Sequence, residues 1–179
     1  MDQSGTKTSG PTLVTGLFND RPSAERAYNS VTGRGYSKDD VNLVMSNETR
    51  KRHFTDAGTE TELGTKAAKG AGVGGAIGGA VGAIAAIVAA AGAAVVIPGL
   101  GLVVAGPIAA ALTGGGAGAA TGGVIGALVG AGIPEERVKH YEGGIKKGGI
   151  LMGVKARNAA DAEYFENDWK TNKGEHVYR

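Results

Sequence analysis

The side chains able to do chemistry are sparse and scattered along this chain. There are three histidines, His53, His140 and His176, and no cysteine. Metal ligation needs several such groups converging, and no two histidines stand one helical turn apart. The absence of cysteine excludes disulfides and thiolate chemistry. Ser23, Ser30, Ser37 and Ser46 lack the strand-to-helix turn that exposes a hydrolase nucleophile. Glu135, Glu136 and Glu142 are acids that could trade protons, but acids in the first turn of a helix, complementing its dipole, account for them more simply.

Two other patterns touch phosphate chemistry. Gly70, Gly72 and Gly75 satisfy G-x-G-x-x-G, yet a dinucleotide turn needs a strand before it, and here glycines simply continue. No cofactor is expected. Arg50-Lys51-Arg52-His53 is the one basic cluster, suited to phosphates or anionic lipid headgroups, or to a solvated face. Lys66 and Lys69 precede a long uncharged segment, where headgroup contact would be natural. A formal charge of +2 argues against nucleic acid as a partner.

The elements that must position these groups fall into parts of different composition. Residues 1–10 read as a polar, disordered tail. Met1 to Thr6 lacks a basic stretch followed by an apolar run, so no signal peptide is expected and the cytoplasm is the expected location. Residues 11–57 and 133–179 are of mixed composition. Between them, residues 58–132 form a Gly/Ala-rich block that holds much of the chain's 33 glycines.

Glycines recur every four residues at Gly70, Gly74, Gly78 and Gly82, and again at Gly114, Gly118, Gly122, Gly126 and Gly130. In a helix this spacing makes a stripe without side chains, along which a second helix can approach closely. Glycine costs about 1 kcal/mol against alanine in a helix interior, so packing must compensate. No charged residue occurs over 70–134. The spacing predicts two helices, 71–97 and 107–131, each long enough for one crossing of a bilayer. Pro98-Gly99 and Gly106-Pro107 would break the chain into a hairpin turn with a wholly apolar tip. Such a tip fits a membrane or the interior of an assembly of copies, and both environments remain open.

The flanks read as βαβ, then αβα and a short edge strand. Thr12 to Phe18 is an apolar strand. Asn19-Asp20-Arg21-Pro22 starts a helix whose stripe is Ala24, Ala27, Tyr28 and Val31. Val41, Leu43 and Met45 mark a second strand, and Asn47 to Phe54 a short polar helix. Glu135 and Glu136 open a helix carrying Val138, Tyr141 and Ile145. A third strand spans Ile150 to Val154. Asn158 caps a last helix with Ala162, Phe165 and Trp169. His176 to Tyr178 suits an edge strand. Each flank is too short to build a core alone, so the fold class expected is α+β: a split ferredoxin-like sandwich with an inserted glycine-zipper helical hairpin.

These residues resemble the bacterial general stress protein family, which includes heat-induced and low-temperature-induced members with a glycine-zipper insert. The resemblance rests on Val14-Thr15-Gly16-Leu17-Phe18-Asn19-Asp20-Arg21 with Ala24-Glu25, and on Gly35-Tyr36-Ser37 with Asp40-Val41. It continues through Gly132-Ile133-Pro134-Glu135-Glu136, Tyr141-Glu142-Gly143 and Gly148-Gly149-Ile150-Leu151. It covers nearly everything from Thr12 to about Trp169 and implies a stress-linked, non-enzymatic protein with no catalytic residues to carry over. The zipper glycines, the uncharged run and the apolar tip add the expected function: self-association through glycine-zipper helices, with the protein itself and membrane lipid as partners and a location at the inner face of the cytoplasmic membrane. The alternatives are a soluble closed particle or filament with hairpins packed inside, and a small-ligand sensor anchored by the hairpin.

Overall fold

In a computed structural model of the chain, residues 11–54, 84, 88, 94–97, 99–109, 117–130 and 132–179 are described. The element order is β1 (Thr12–Phe18), α1 (Arg21–Gly33), a 3-10 turn (Lys38–Asp40), β2 (Val41–Ser46), α2 (Asn47–Phe54), β3 (Ala94–Ile97), β4 (Leu102–Ala105), α3 (Ala117–Gly130), α4 (Glu135–Lys146), β5 (Ile150–Ala156), α5 (Ala159–Thr171) and β6 (Glu175–Tyr178). The fold is α+β. Six strands form one sheet in the order β3-β4-β2-β5-β1-β6, and every neighbouring pair is antiparallel.

Local chemistry explains most boundaries. The Asp20 carboxylate accepts from the Ser23 amide at 2.8 Å and caps α1, with Pro22 in the first turn. Asn158 does the same for α5, accepting from the Asp161 amide at 2.8 Å. The C-terminal end of α4 turns at Lys147 and Gly148, the latter at φ +102°.

The sheet is covered on both faces, because alternate strand residues point in opposite directions. Val14, Phe18, Leu43, Met45, Ile150, Met152 and Val154 pack against α1 and α5. There Phe18 meets Trp169 edge to face at 5.7 Å, and Tyr36 meets Phe165 at 5.1 Å. Leu17, Val44 and Leu151 face the other way, with Val138, Tyr141 and Ile145 of α4 and Val124 and Leu128 of α3. The aromatic residues at helical spacing, Tyr28, Tyr141, Phe165 and Trp169, are core residues, as their spacing predicts.

The central block differs from the sequence-based expectation. The helix expected over 71–97 does not reach its end: Ile84 and Val88 are helical, but Ala94–Ile97 is strand. Its partner β4 lies inside the segment expected to be the apolar tip. Consecutive β-branched residues, Val95-Val96-Ile97 and Val103-Val104, favour the extended chain over the helix. Gly99 and Gly101, at φ +81° and +62°, turn one strand into the other. Hence Gly99 belongs to a β-hairpin, and does not turn one long helix onto another. Gly106 and Pro107 lead out of β4, and residues 107–109 are helical. The segment lacks polar side chains because β4 is buried on both faces.

Of the glycine rows, Gly118, Gly122, Gly126 and Gly130 lie within α3. That helix is broken at Gly123 (φ +59°, ψ −146°), so the row does not run down one unbroken helical face. A Cβ at Gly130 would meet nothing within 4 Å. Gly70, Gly74, Gly78, Gly82 and Gly114, together with Lys66, Lys69 and Pro98, lie outside the described residues. No helix among the described residues is long and apolar enough to cross a membrane.

A buried polar contact ties the block to the first helix. Glu25, 5% exposed on α1, accepts from the Ile84 amide at 3.3 Å and faces Arg21 at 3.5 Å. Arg21 donates to the His53 carbonyl at 2.5 Å and lies over the Phe54 ring. Ile84 and Val88 thereby join the same core as α1 and α5.

Gly106 marks the tightest passage. A Cβ there would overlap the Val41 carbonyl oxygen, and the residue sits at φ +93°. Gly106→Ala should cost roughly 3 kcal/mol or more, from strain plus overlap. Gly101→Ala, with positive φ but open space around it, should cost only about 1 kcal/mol. Urea denaturation of both variants measures the difference.

Candidate functional site

The C-terminal end of α4 carries two adjoining cavities that share Lys147. Its position is set by glycine. A Cβ at Gly144 would overlap Leu17 of β1, so the bare backbone lets α4 sit directly on the sheet. The Tyr141 hydroxyl, one turn earlier, lies 2.8 Å from both Thr15 Oγ1 and the His176 carbonyl oxygen. It has one proton to give. It donates to the carbonyl, and Thr15 donates back to it. Burial pushes the Tyr141 pKa up to about 12, against the smaller opposing effect of the Thr15 hydrogen bond. Tyr141 therefore works as a neutral structural donor.

The first cavity, of about 380 Å³, is lined by Asn19, His140, Gly143, Lys147, Glu175 and His176, with Leu17 and Gly144 beneath. The His140 and His176 rings stack at 4.8 Å with 19° between planes. His176 adopts a left-handed backbone (φ +49°), uncommon for a residue with a side chain. β6 is held from two sides. Arg137 of α4 donates to the Arg179 carbonyl at 2.8 Å, and Arg179 pairs with Glu166 of α5 at 2.7 Å.

The second cavity, of about 270 Å³, lies between α2 and the end of α4. Ser46, Glu48, Thr49, Arg52, Lys146, Lys147 and Gly148 line it. A third, of about 430 Å³, lies near Asn42, Asp39, Asp40 and Lys155. Two of its polar groups are committed to structure. Asn42 accepts from the Ile108 amide at 2.8 Å, and Asp40 closes the capping box of the 3-10 turn.

Sequence-derived candidates separate accordingly. Arg52 comes together with Lys146 and Lys147. Arg50 instead reaches Asn47 Oδ1 at 3.4 Å, and Lys51 is exposed. Glu135 pairs with Lys139 and Glu142 with Lys146, each one turn on, so these acids are spent on α4's own surface. His53 stands apart, while His140 and His176 meet. Among the described residues no three His, Asp or Glu side chains are placed to hold a metal ion. The convergence of Lys147 with Arg52, and of His140 with His176, has no signal in the sequence, because each pair is far apart along the chain.

One further polar cluster is structural. Asp161, next to the cap of α5, accepts from the Tyr36 hydroxyl at 2.7 Å and pairs with Arg34 at 2.5 Å. The Tyr36 hydroxyl in turn accepts from the Arg157 amide at 2.8 Å. No protein-family model, curated protein or solved structure matches the chain.

The Tyr36 hydrogen bond, with Arg34, holds the Asp161 carboxyl below its ordinary value, against a smaller effect of burial. A carboxylate whose pKa falls on folding adds stability above the unfolded-chain value, near about 4, and loses it as the pH drops through the folded value. Asp161→Asn should therefore lower stability at pH 7 by about 1 kcal/mol. It should also flatten the loss of stability below about pH 4. Thermal melts between pH 7 and pH 2 check both.

Proposed function

We propose that this is a non-enzymatic stress-response protein that works by self-association and, once assembled, lies against the inner face of the cytoplasmic membrane. The stress-linked part of the reading comes from the family resemblance. The core is read as a ferredoxin-like sandwich. Two observations support that: β1-α1-β2 and β5-α5-β6 each place a helix between strands, and β2-β5-β1-β6 is the order in which those strands lie. The β3-β4 hairpin then extends this core at its β2 edge.

The observation that carries self-association is the free end of the sheet. Among the described residues β3 is the last strand on this side of the sheet, and it reads Ala-Val-Val-Ile, with no charge, no proline and no bulge within it. Val96 is 46% exposed there. An open, uncharged edge offers unpaired backbone groups to a strand from another copy. The small-residue rows of the central block offer a second means of close packing between copies. Membrane association in this reading is peripheral, because Leu102–Ala105, inside the expected hairpin tip, pairs with β2 in the sheet.

A soluble assembly is the second reading. It is favoured by Ile84 and Val88, whose side chains lie in the same core as α1 and α5. Without detergent, light scattering should show a species larger than the monomer. Val96→Glu should shift it at least several-fold toward the monomer, by placing like charges across the new strand pair. A monomeric wild-type protein overturns self-association. Flotation with vesicles then separates the two readings, since only membrane association carries protein upward.

A further inference from the structure

We propose that the cleft between α2 and the C-terminal end of α4 binds a phosphate group. Arg52 comes from the first half of the chain, and Lys146 and Lys147 come from α4 and its C-terminal cap. All three line one cavity of about 270 Å³, against a single carboxylate, Glu48. Lys146 is held by Glu142 at 2.7 Å. Arg52 and Lys147 have no carboxylate partner among the described residues. A guanidinium fork beside a lysine point charge suits the oxygens of a phosphate group.

The floor supplies a neutral donor. Ser46 Oγ and Thr49 Oγ1 lie 2.9 Å apart, and Ser46 Oγ also accepts from the Thr49 amide. Two hydroxyls sharing one hydrogen bond leave one O–H proton unassigned. Thr49 is only 1% exposed yet lines the cavity, so the pair is fixed in place. Gly148 borders the cavity: a Cβ placed there would lie 3.7 Å from Thr49 Oγ1 and 3.8 Å from Arg52 Nη1, an ordinary contact distance. Its φ of +102° is one that residues with side chains rarely adopt. The phosphate can come from a lipid headgroup or from a soluble phosphate, and both present the same oxygens to these donors.

The site is distinct from the β3 edge, so it can fail while self-association holds, and the reverse. It deepens the membrane part of the proposed function only if the phosphate is a lipid's. The test uses the full-length protein with two probes. One is inorganic phosphate, titrated by calorimetry to about 10 mM, a range that covers weak single-group binding. The other is phosphatidylcholine vesicles with and without phosphatidic acid, by flotation. Saturable binding of either probe is expected, weakened about tenfold by Arg52→Gln and by Lys147→Gln, each of which removes one charged donor. Lys51→Gln, the exposed neighbour outside the cavity, should leave binding unchanged. These side chains are exposed, so circular dichroism of the variants should match the parent. Binding of phosphate marks a soluble ligand as sufficient. Binding only to phosphatidic acid vesicles, lost in Arg52→Gln and Lys147→Gln, assigns the headgroup. No binding of either probe overturns the site. So does equal weakening by Lys51→Gln, which would mark diffuse surface charge.

Discussion

Strand β5 comes from late in the chain, yet it pairs with β1 on one side and β2 on the other. Those two strands come from its beginning. β1 and β2 do not touch each other in the sheet, so neither half can complete it without β5. Backbone groups of strands buried on both faces must pair, and a half-built sheet would leave them unsatisfied. Everything between β2 and β5 must therefore leave and return to the same sheet. That single requirement sets the course of the Gly/Ala block.

The block meets the requirement by joining the sheet. β4 pairs with β2, Ile84 and Val88 enter the α1/α5 side of the core, and Val124 and Leu128 enter the α4 side. Small residues suit this role. Where backbone must pass close to backbone, as at Gly106 against Val41, a side chain has no room. Uncharged sequence in β4 reflects burial on both faces of that strand, which hydropathy cannot distinguish from burial in lipid.

The same return of the chain creates the surfaces on which the functional proposals rest. Extending the sheet beyond β2 makes β3 the last strand on that side among the described residues. Bringing α4 back across the sheet delivers Lys146 and Lys147 to the side of α2, where Arg52 stands. Glu142 of α4 meanwhile pairs with Lys146 one turn on, which leaves Lys147 and Arg52 as the cleft cations without a carboxylate partner among the described residues. Packing constraints thus decide which charges are left available.

The sequence by itself determined the elements whose causes are local. The Asp20 and Asn158 caps, the stripe of Ala24, Ala27, Tyr28 and Val31, and the strands around Val14, Leu43 and Met152 could all be read from neighbouring residues, because caps and periodicity act within a few positions. The edge strand at His176 to Tyr178 was legible for the same reason. Tertiary structure alone decided that β-branched residues inside the block form β3 and β4. Their place in the sheet depends on β4 pairing with β2, a strand that precedes the whole block, and no local pattern reports over that separation. It alone decided that His140 meets His176 and that Arg52 meets Lys147, because such pairs exist only once β5 has closed the sheet. Charge and residue type were written in the sequence; which charges would stand together was a consequence of packing.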